Sequence, residues 1–294
     1  MQPRPPLTTR SHRPTRFAVA ARLAALGALA TALAGALAAA PAAGALAARP
    51  AARPAAASVA ARAHPVARAH PVARAHPVAR ANPVAQAKAI NLRASDLPSS
   101  MHWTSSPVGK PTKAVAAAQV KAASCLRAAG AGTGDPFGAS GRIGGGVLAD
   151  VSSAQYSEKG SPGIPAANSE VVVVASAKAA AADLHAVTTA AGRRCIAAQF
   201  RVDSSAQGLS GPVTTAVRPQ PRHGVNGGAR VQMVESAQFG STKLAVKLYN
   251  DEYFYVVGAD EVTLSFLNIA GPFPQAGATA AVNKVLARAA TAAG

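Results

Sequence analysis

From Ala229 onward, apolar residues fall largely on alternate positions, the period of strands that bury one side. The pattern predicts strands over 229–237, 242–249, 252–258 and 261–268, with turns at Asn250-Asp251 and Gly258-Ala259-Asp260. Alternation assigns Val231, Met233, Leu244, Val246, Leu248, Phe254, Val256, Val262, Leu264 and Phe266 to one apolar face. The opposite face carries Arg230, Gln232, Lys247, Tyr249, Tyr253, Tyr255, Thr263 and Ser265. Upstream, helical spacing takes over. Pro111-Thr112 opens a helix that runs to Ala129 and stops at Gly130, with Val115, Val120 and Leu126 inward. A second helix is predicted over 178–191 (Leu184 and Val187 inward) and a third over 274–293 (Val282, Val285 and Leu286 inward). Strands are expected near 147–156, 170–175 and 195–202, and the Val171-Val172-Val173-Val174 run calls for cover on both faces. The expected fold class is α+β: an antiparallel β-sheet packed mainly on one face by helices, preceded by a disordered N-terminal region.

The first ninety residues follow a different logic, with twelve Lys/Arg and no Asp or Glu. A basic start (Arg4, Arg10, Arg13, Arg16, Arg22) leads into an uncharged Ala/Leu stretch over 23–48, with Leu23, Leu26, Leu29, Leu33 and Leu37 as a helical stripe. Pro41 and Gly44 break that stripe, and Ala45-Leu46-Ala47 supplies the small residues that signal peptidase needs, so 1–47 reads as a signal peptide cut near Ala47. The same stretch is long enough to span a bilayer, so an uncleaved anchor is the alternative, and membrane contact is expected only in that case. With no cysteine near the cut the segment is not a lipoprotein leader, and without an Arg-Arg pair the general secretory route is favoured.

Residues 48–88 read as a disordered Ala/Pro/Arg-rich linker. Arg62-Ala63-His64-Pro65-Val66-Ala67 recurs from Arg68 and Arg74, and once more from Arg80 with Asn82 in place of His. Proline every sixth residue opposes a helix and favours polyproline II, which sets His64, His70 and His76 on one face about 19 Å apart, too far for one metal ion. A semi-rigid spacer is the expectation, and no cofactor or metal is implied. The formal charge of +18 belongs mostly to this head: from Ala94 onward 17 Lys/Arg face 12 Asp/Glu, a net of +5. Spaced arginines without aromatics suit an anionic envelope surface rather than nucleic acid.

The one domain is placed at 89–294. Its two cysteines, Cys125 and Cys195, form an expected disulfide that pins a helix to the sheet. No nucleophile-and-base arrangement is legible: Ser140 and Ser210 lack the Gly-x-Ser-x-Gly setting, and His102, His185 and His223 stand alone. Asp251/Glu252 and Asp260/Glu261 fall at predicted turns, and the Gly130–Gly146 stretch lacks a P-loop ending and reads as a mobile surface loop. No catalysis is expected. The candidate ligand-binding residues are those of the polar-aromatic sheet face: Arg230, Gln232, Lys247, Tyr249, Tyr253, Tyr255 and Ser265.

The opening Asn91-Leu92-Arg93-Ala94-Ser95-Asp96-Leu97-Pro98, the unit from Val171 through Ser176-Ala177-Lys178 to Cys195, and the closing meander with its final helix resemble the PknH-like extracellular sensor domain family of actinobacteria, in its stand-alone exported form. The resemblance implies a sheet-and-helix fold, extracytoplasmic placement (secreted or envelope-associated), and sensing of a small-molecule or cell-wall ligand in a cleft. The alternative is a structural cell-wall-associated protein without a small-molecule ligand.

Overall fold

A computed structural model describes residues 82–133, 135–160, 165–206, 209–239, 244–269 and 271–293. The export segment and the first three repeats lie outside them. The described chain is α+β, as the pattern predicts. Its strands are β1 (Trp103–Ser106), β2 (Val147–Ser152), β3 (Gln155–Glu158), β4 (Ala166–Val174), β5 (Leu209–Ser210), β6 (Val213–Pro219), β7 (Gly227–Phe239), β8 (Leu244–Val257) and β9 (Asp260–Ile269). They form one antiparallel sheet in the order β1-β3-β4-β9-β8-β7-β5, with β2 also on β4 and β6 on β7.

Strand β8 runs straight through Asn250-Asp251-Glu252, where a turn was expected. Its polar residues are held by partners across the sheet: Ser265 Oγ donates to Asn250 Oδ1 (3.0 Å), and Arg230 and Gln232 donate to Asp251 Oδ1. The next turn uses two residues, Gly258 and Ala259, so that Val257 pairs with Asp260. Gly258 sits at φ +60°, a conformation that favours glycine. Counting from that pair, Tyr255 faces Val262 and Tyr253 faces Leu264. The expected face assignment of β9 is therefore reversed: Val262, Leu264 and Phe266 share a side with the tyrosines, not with Phe254 and Val256.

Helices cover both sides. On the tyrosine side lie α1 (Pro83–Ile90) and α5 (Gln275–Ala293), whose Ala87, Ile90, Val282 and Val285 pack on Tyr253, Leu264 and Phe266. Over the other side stand α2 (Lys113–Ala128), α3 (Ala177–Thr188) and α4 (Ala190–Ser205), contributing Leu126, Val187 and Phe200 against Met233, Phe254 and Val256. α4 replaces the strand expected over 195–202. Gly192, Cys195, Gln199, Phe200 and Asp203 are its buried positions at helical spacing, and Thr189 caps it by accepting from Gly192 N (3.0 Å). A Cβ at Gly192 would lie 2.0 Å from Ala186 O, so this glycine permits the tight α3–α4 join instead of ending a helix.

α1 begins inside the segment read as linker and runs into the domain placed at 89–294. The fourth repeat carries Asn82 where the others have His, and Asn82 accepts from Val84 N (3.0 Å) with Pro83 at the first helical position. A cap residue and a proline that suits a helix start convert the repeat into a helix. The chain after it is tied down by hydrogen bonds: Leu92 N donates to Ser169 Oγ (2.8 Å), Ser169 Oγ to Asn91 Oδ1 (2.8 Å), and Asn91 Nδ2 to Val151 O (2.9 Å). Arg288 of α5 closes the knot with Nη1 and Nη2 on the two oxygens of Asp96 (3.1 and 2.6 Å), while also reaching Ile90 O and Asn91 O. Burial pushes the Asp96 carboxyl up, but Arg288, the Arg93 N–H and Lys284 overcome that and hold it below its usual range. Breaking a pair of this kind leaves a buried charge behind, so Arg288→Ala is expected to lower unfolding free energy by about 3 kcal/mol in a urea titration. Arg288→Lys should recover only part of it, because an ammonium cannot make the two-pronged contact.

Candidate functional site

The seven residues of the expected binding face do not form one surface. Tyr253 and Tyr255 are core, 1% and 0% exposed, beneath α5. Arg230 and Gln232 converge on Asp251, and the Arg230 guanidinium lies 5.4 Å from the centroid of the Tyr253 ring. Gln275, at the start of α5, accepts from Arg230 Nη1 (2.7 Å) and donates to the Tyr253 hydroxyl (3.1 Å). This group pins α5 to the sheet. Lys247 is exposed and Tyr249 half-buried farther along β8, and Ser265 projects from the opposite side of the sheet. The expectation of an open face fails because α5 lies on it.

Ser265 belongs instead to a cleft between α2, α4 and the sheet, about 850 Å³ including space open to solvent. Cross-strand pairing builds its floor. Asn168 (β4), Ser265 (β9) and Glu252 (β8) form one row, and Thr263 lies beside Phe254 in the next. Asn250 Nδ2 donates to Glu252 Oε1 (3.3 Å). The roof is α4, with Gln199 Nε2 on Asp203 Oδ1 (2.8 Å), and the walls are apolar: Ala122, Leu126, Phe137, Ile196 and Phe200. Apolar walls with a few convergent polar groups suit a small ligand. Gln199, Asp203, Asn168, Asn250 and Glu252 escaped the sequence reading, which placed α4 as a strand and Asn250 in a turn. Thr263 escaped as a site residue although its face was assigned.

The wall carrying Phe137 is positioned by buried acids. The Gly130–Gly146 stretch divides: Thr133, Asp135, Pro136 and Phe137 are buried, and Arg142, Ile143, Gly144 and Gly145 are exposed as a surface loop would be. Asp183 of α3 accepts from Gly132 N (2.6 Å), Thr133 N (3.1 Å) and Thr133 Oγ1 (2.6 Å). Asp135 accepts from Ser140 N (2.5 Å) and Arg142 N (2.9 Å). Phe137, at φ +49°, is held in that strained conformation by its N–H on Glu261 Oε2 (2.8 Å) and by its ring packed edge-on against Phe254 (5.0 Å). Asp251/Glu252 and Asp260/Glu261 are therefore strand residues with partners; Gln86 of α1, for example, donates to Asp260 (2.8 Å). Burial, followed by contact with Asp183, raises Glu261 well above the usual carboxyl range, and burial pushes Asp150 up to about 6.

Cys125 and Cys195 form the expected disulfide, but it joins helix to helix, α2 to α4, with Cα atoms 5.8 Å apart. It clamps the roof of the cleft one turn from Gln199. A disulfide suggests an oxidising, extracytoplasmic environment. Among the described residues no helix is long and apolar enough to cross a membrane, and no group of His, Cys, Asp or Glu is arranged to hold a metal ion.

No family model, curated protein or solved structure matches this chain.

Two outcomes follow from the acids and the bridge. Glu261 and Asp150 keep protons in the folded state that they release when unfolded, so their contribution to stability is complete below about pH 4 and is lost as pH rises through their folded values. The thermal midpoint is expected to be higher at pH 5 than at pH 7.5. Glu261→Gln, whose amide can donate to Asp183 and accept from Phe137 N, should flatten that slope. Replacing both Cys125 and Cys195 by Ser releases a loop of sequence separation 70. It should lower unfolding free energy by about 4 kcal/mol on the chain-entropy account.

Proposed function

We propose that this protein is an exported, non-catalytic binding or sensor-like module of the cell envelope that takes a small molecule in the cleft between α2, α4 and the sheet. The observation that carries the reading is the floor: Asn168, Asn250, Glu252, Thr263 and Ser265 are all buried on a sheet face that opens into space instead of closing against the helices. A sheet face covered only for stability is better served by apolar residues, as the α5 side is here. The basic, acid-free head with its signal-like Ala/Leu stretch supports export, and so does the disulfide. The likeness to PknH-like sensor domains agrees with this and adds the expectation of a cleft ligand.

The test is to fill the space. Ala122 and Ile196 line the cleft from α2 and α4, and Ala122→Phe or Ile196→Trp would occupy it. The neutral dye Nile red is expected to gain fluorescence with the full chain and to lose at least tenfold in affinity with either variant, their thermal midpoints staying within a few degrees of the parent. Binding that survives both substitutions places the dye elsewhere and removes the support for the cleft.

A further inference from the structure

Acids and bases are sorted between the inside and the outside of the domain. Of the twelve Asp and Glu in the sequence, Asp150 and Glu158 are half-buried and all the others are buried. The side-chain charge that stands exposed among the described residues is Lys and Arg throughout, Arg142 and Lys178 included. The surface is thus more cationic than the net of +5 conveys.

Exposed apolar side chains are sorted too. Among the described residues the large ones are Val84, Ile143 and Leu148, 42%, 47% and 42% exposed, and all three lie toward the end of the sheet where β4 stops. Leu148 is the extra residue of a bulge between Val147, paired with Val174, and Ala149, paired with Val173. Ile143 precedes a tight Gly145-Gly146 turn, closed by Gly144 N on Val147 O (3.1 Å) and Val147 N on Gly144 O (3.2 Å). A Cβ on Gly144 or Gly146 would meet nothing within 4 Å, so this tip stands clear of the fold. Val84 sits on the first turn of α1, which Gln86 ties to Asp260, the β9 partner of Val173. Arg142 flanks Ile143, and Lys178 lies in the first turn of α3, just after β4. The tract that carries Arg62, Arg68, Arg74 and Arg80 joins the domain at Asn82, beside Val84.

We infer that this end of the sheet docks on an anionic lipid bilayer. Ile143, Leu148 and Val84 enter among the headgroups, Arg142 and Lys178 meet lipid phosphates, and the basic tract adds its charge from the same end. Single apolar residues on a surface need no partner. Here they coincide with cations, with an absence of exposed acids, and with the point where a basic tract joins. Apolar burial and attraction to anionic lipid add in such contacts. An anionic polymer would engage the cations and leave the three apolar side chains in water, so a bilayer fits the whole set better. The inference makes no use of the cleft.

A local reporter tests the docking face whatever else in the chain touches lipid. Ile143→Trp and Leu148→Trp, made separately in the full chain, place an indole at the tip, with circular dichroism confirming that each folds. The native Trp103 pairs with Glu158 beyond the start of β4, at the opposite end of the sheet, and serves as the control. Vesicles of phosphatidylglycerol with brominated acyl chains are the probe. A side chain at the headgroup–acyl boundary comes within reach of the bromines, so the added indole is expected to lose about half of its emission relative to unbrominated vesicles, and Trp103 none. Adding Arg142→Glu and Lys178→Glu to either reporter should reverse most of that quenching. If one reporter does not fold, the other decides. Vesicle binding without quenching of the added indole assigns the contact to the basic tract or the Ala/Leu stretch alone and overturns the inference. No vesicle binding overturns it as well. Emission that shifts to the blue with protein concentration in the absence of lipid, and is unchanged by vesicles, assigns the tip to a second copy of the chain and overturns it too.

Discussion

A strand residue has two possible sides to face, and the Gly258-Ala259 turn makes that choice for the centre of this molecule. A two-residue connection sets Val257 against Asp260, and every later pair in β9 inherits the register. Thr263 and Ser265 then join Glu252 and Asn168 on the side of α2, α3 and α4, and Val262, Leu264 and Phe266 join Tyr253 on the side of α5. One side becomes dry and closes under α1 and α5. The other keeps a polar strip that the helices bridge without filling. Cleft and core are consequences of the same pairing.

Helices over the polar side pack on Val172, Val231, Met233 and Val256 around the polar strip, and further fastenings add to that contact. The disulfide ties α2 to α4, and Asp183 ties α3 to the backbone of the Gly-rich stretch. Glu261 then fixes Phe137 at the mouth of the space. These fastenings are polar or covalent; the α5 side combines contact among Phe266, Phe273 and the alanines of the helix with the polar groups around Arg230 and Arg288.

The element types were largely legible from residue pattern, and the faces were not. Alternation located β7, β9 and both halves of β8, and helical spacing located α2, opened by Thr112, and α3. A turn counted one residue too long inverted β9, since the side-chain period is two. Asn250-Asp251-Glu252 reads as a turn because these residues favour turns in isolation; Arg230, Gln232 and Ser265 hold them in a strand, and those partners are distant in sequence. α4 was missed because Gly192 looks like a stop signal, while in space it is the point where Ala186 O comes close. Of the polar residues in the cleft, only Ser265 is a candidate from the sequence. Its other polar members needed the register and α4 to be correct first.

Asn82 sets the last repeat apart from the others. The three hexapeptide copies before it are identical. The copy that starts α1 differs from the others at the capping position, so the boundary of the domain is written in that copy rather than in the number of copies preceding it. A His at that position would bring no side-chain oxygen to Val84 N, so one substitution, and not the proline that all four copies share, opens the helix.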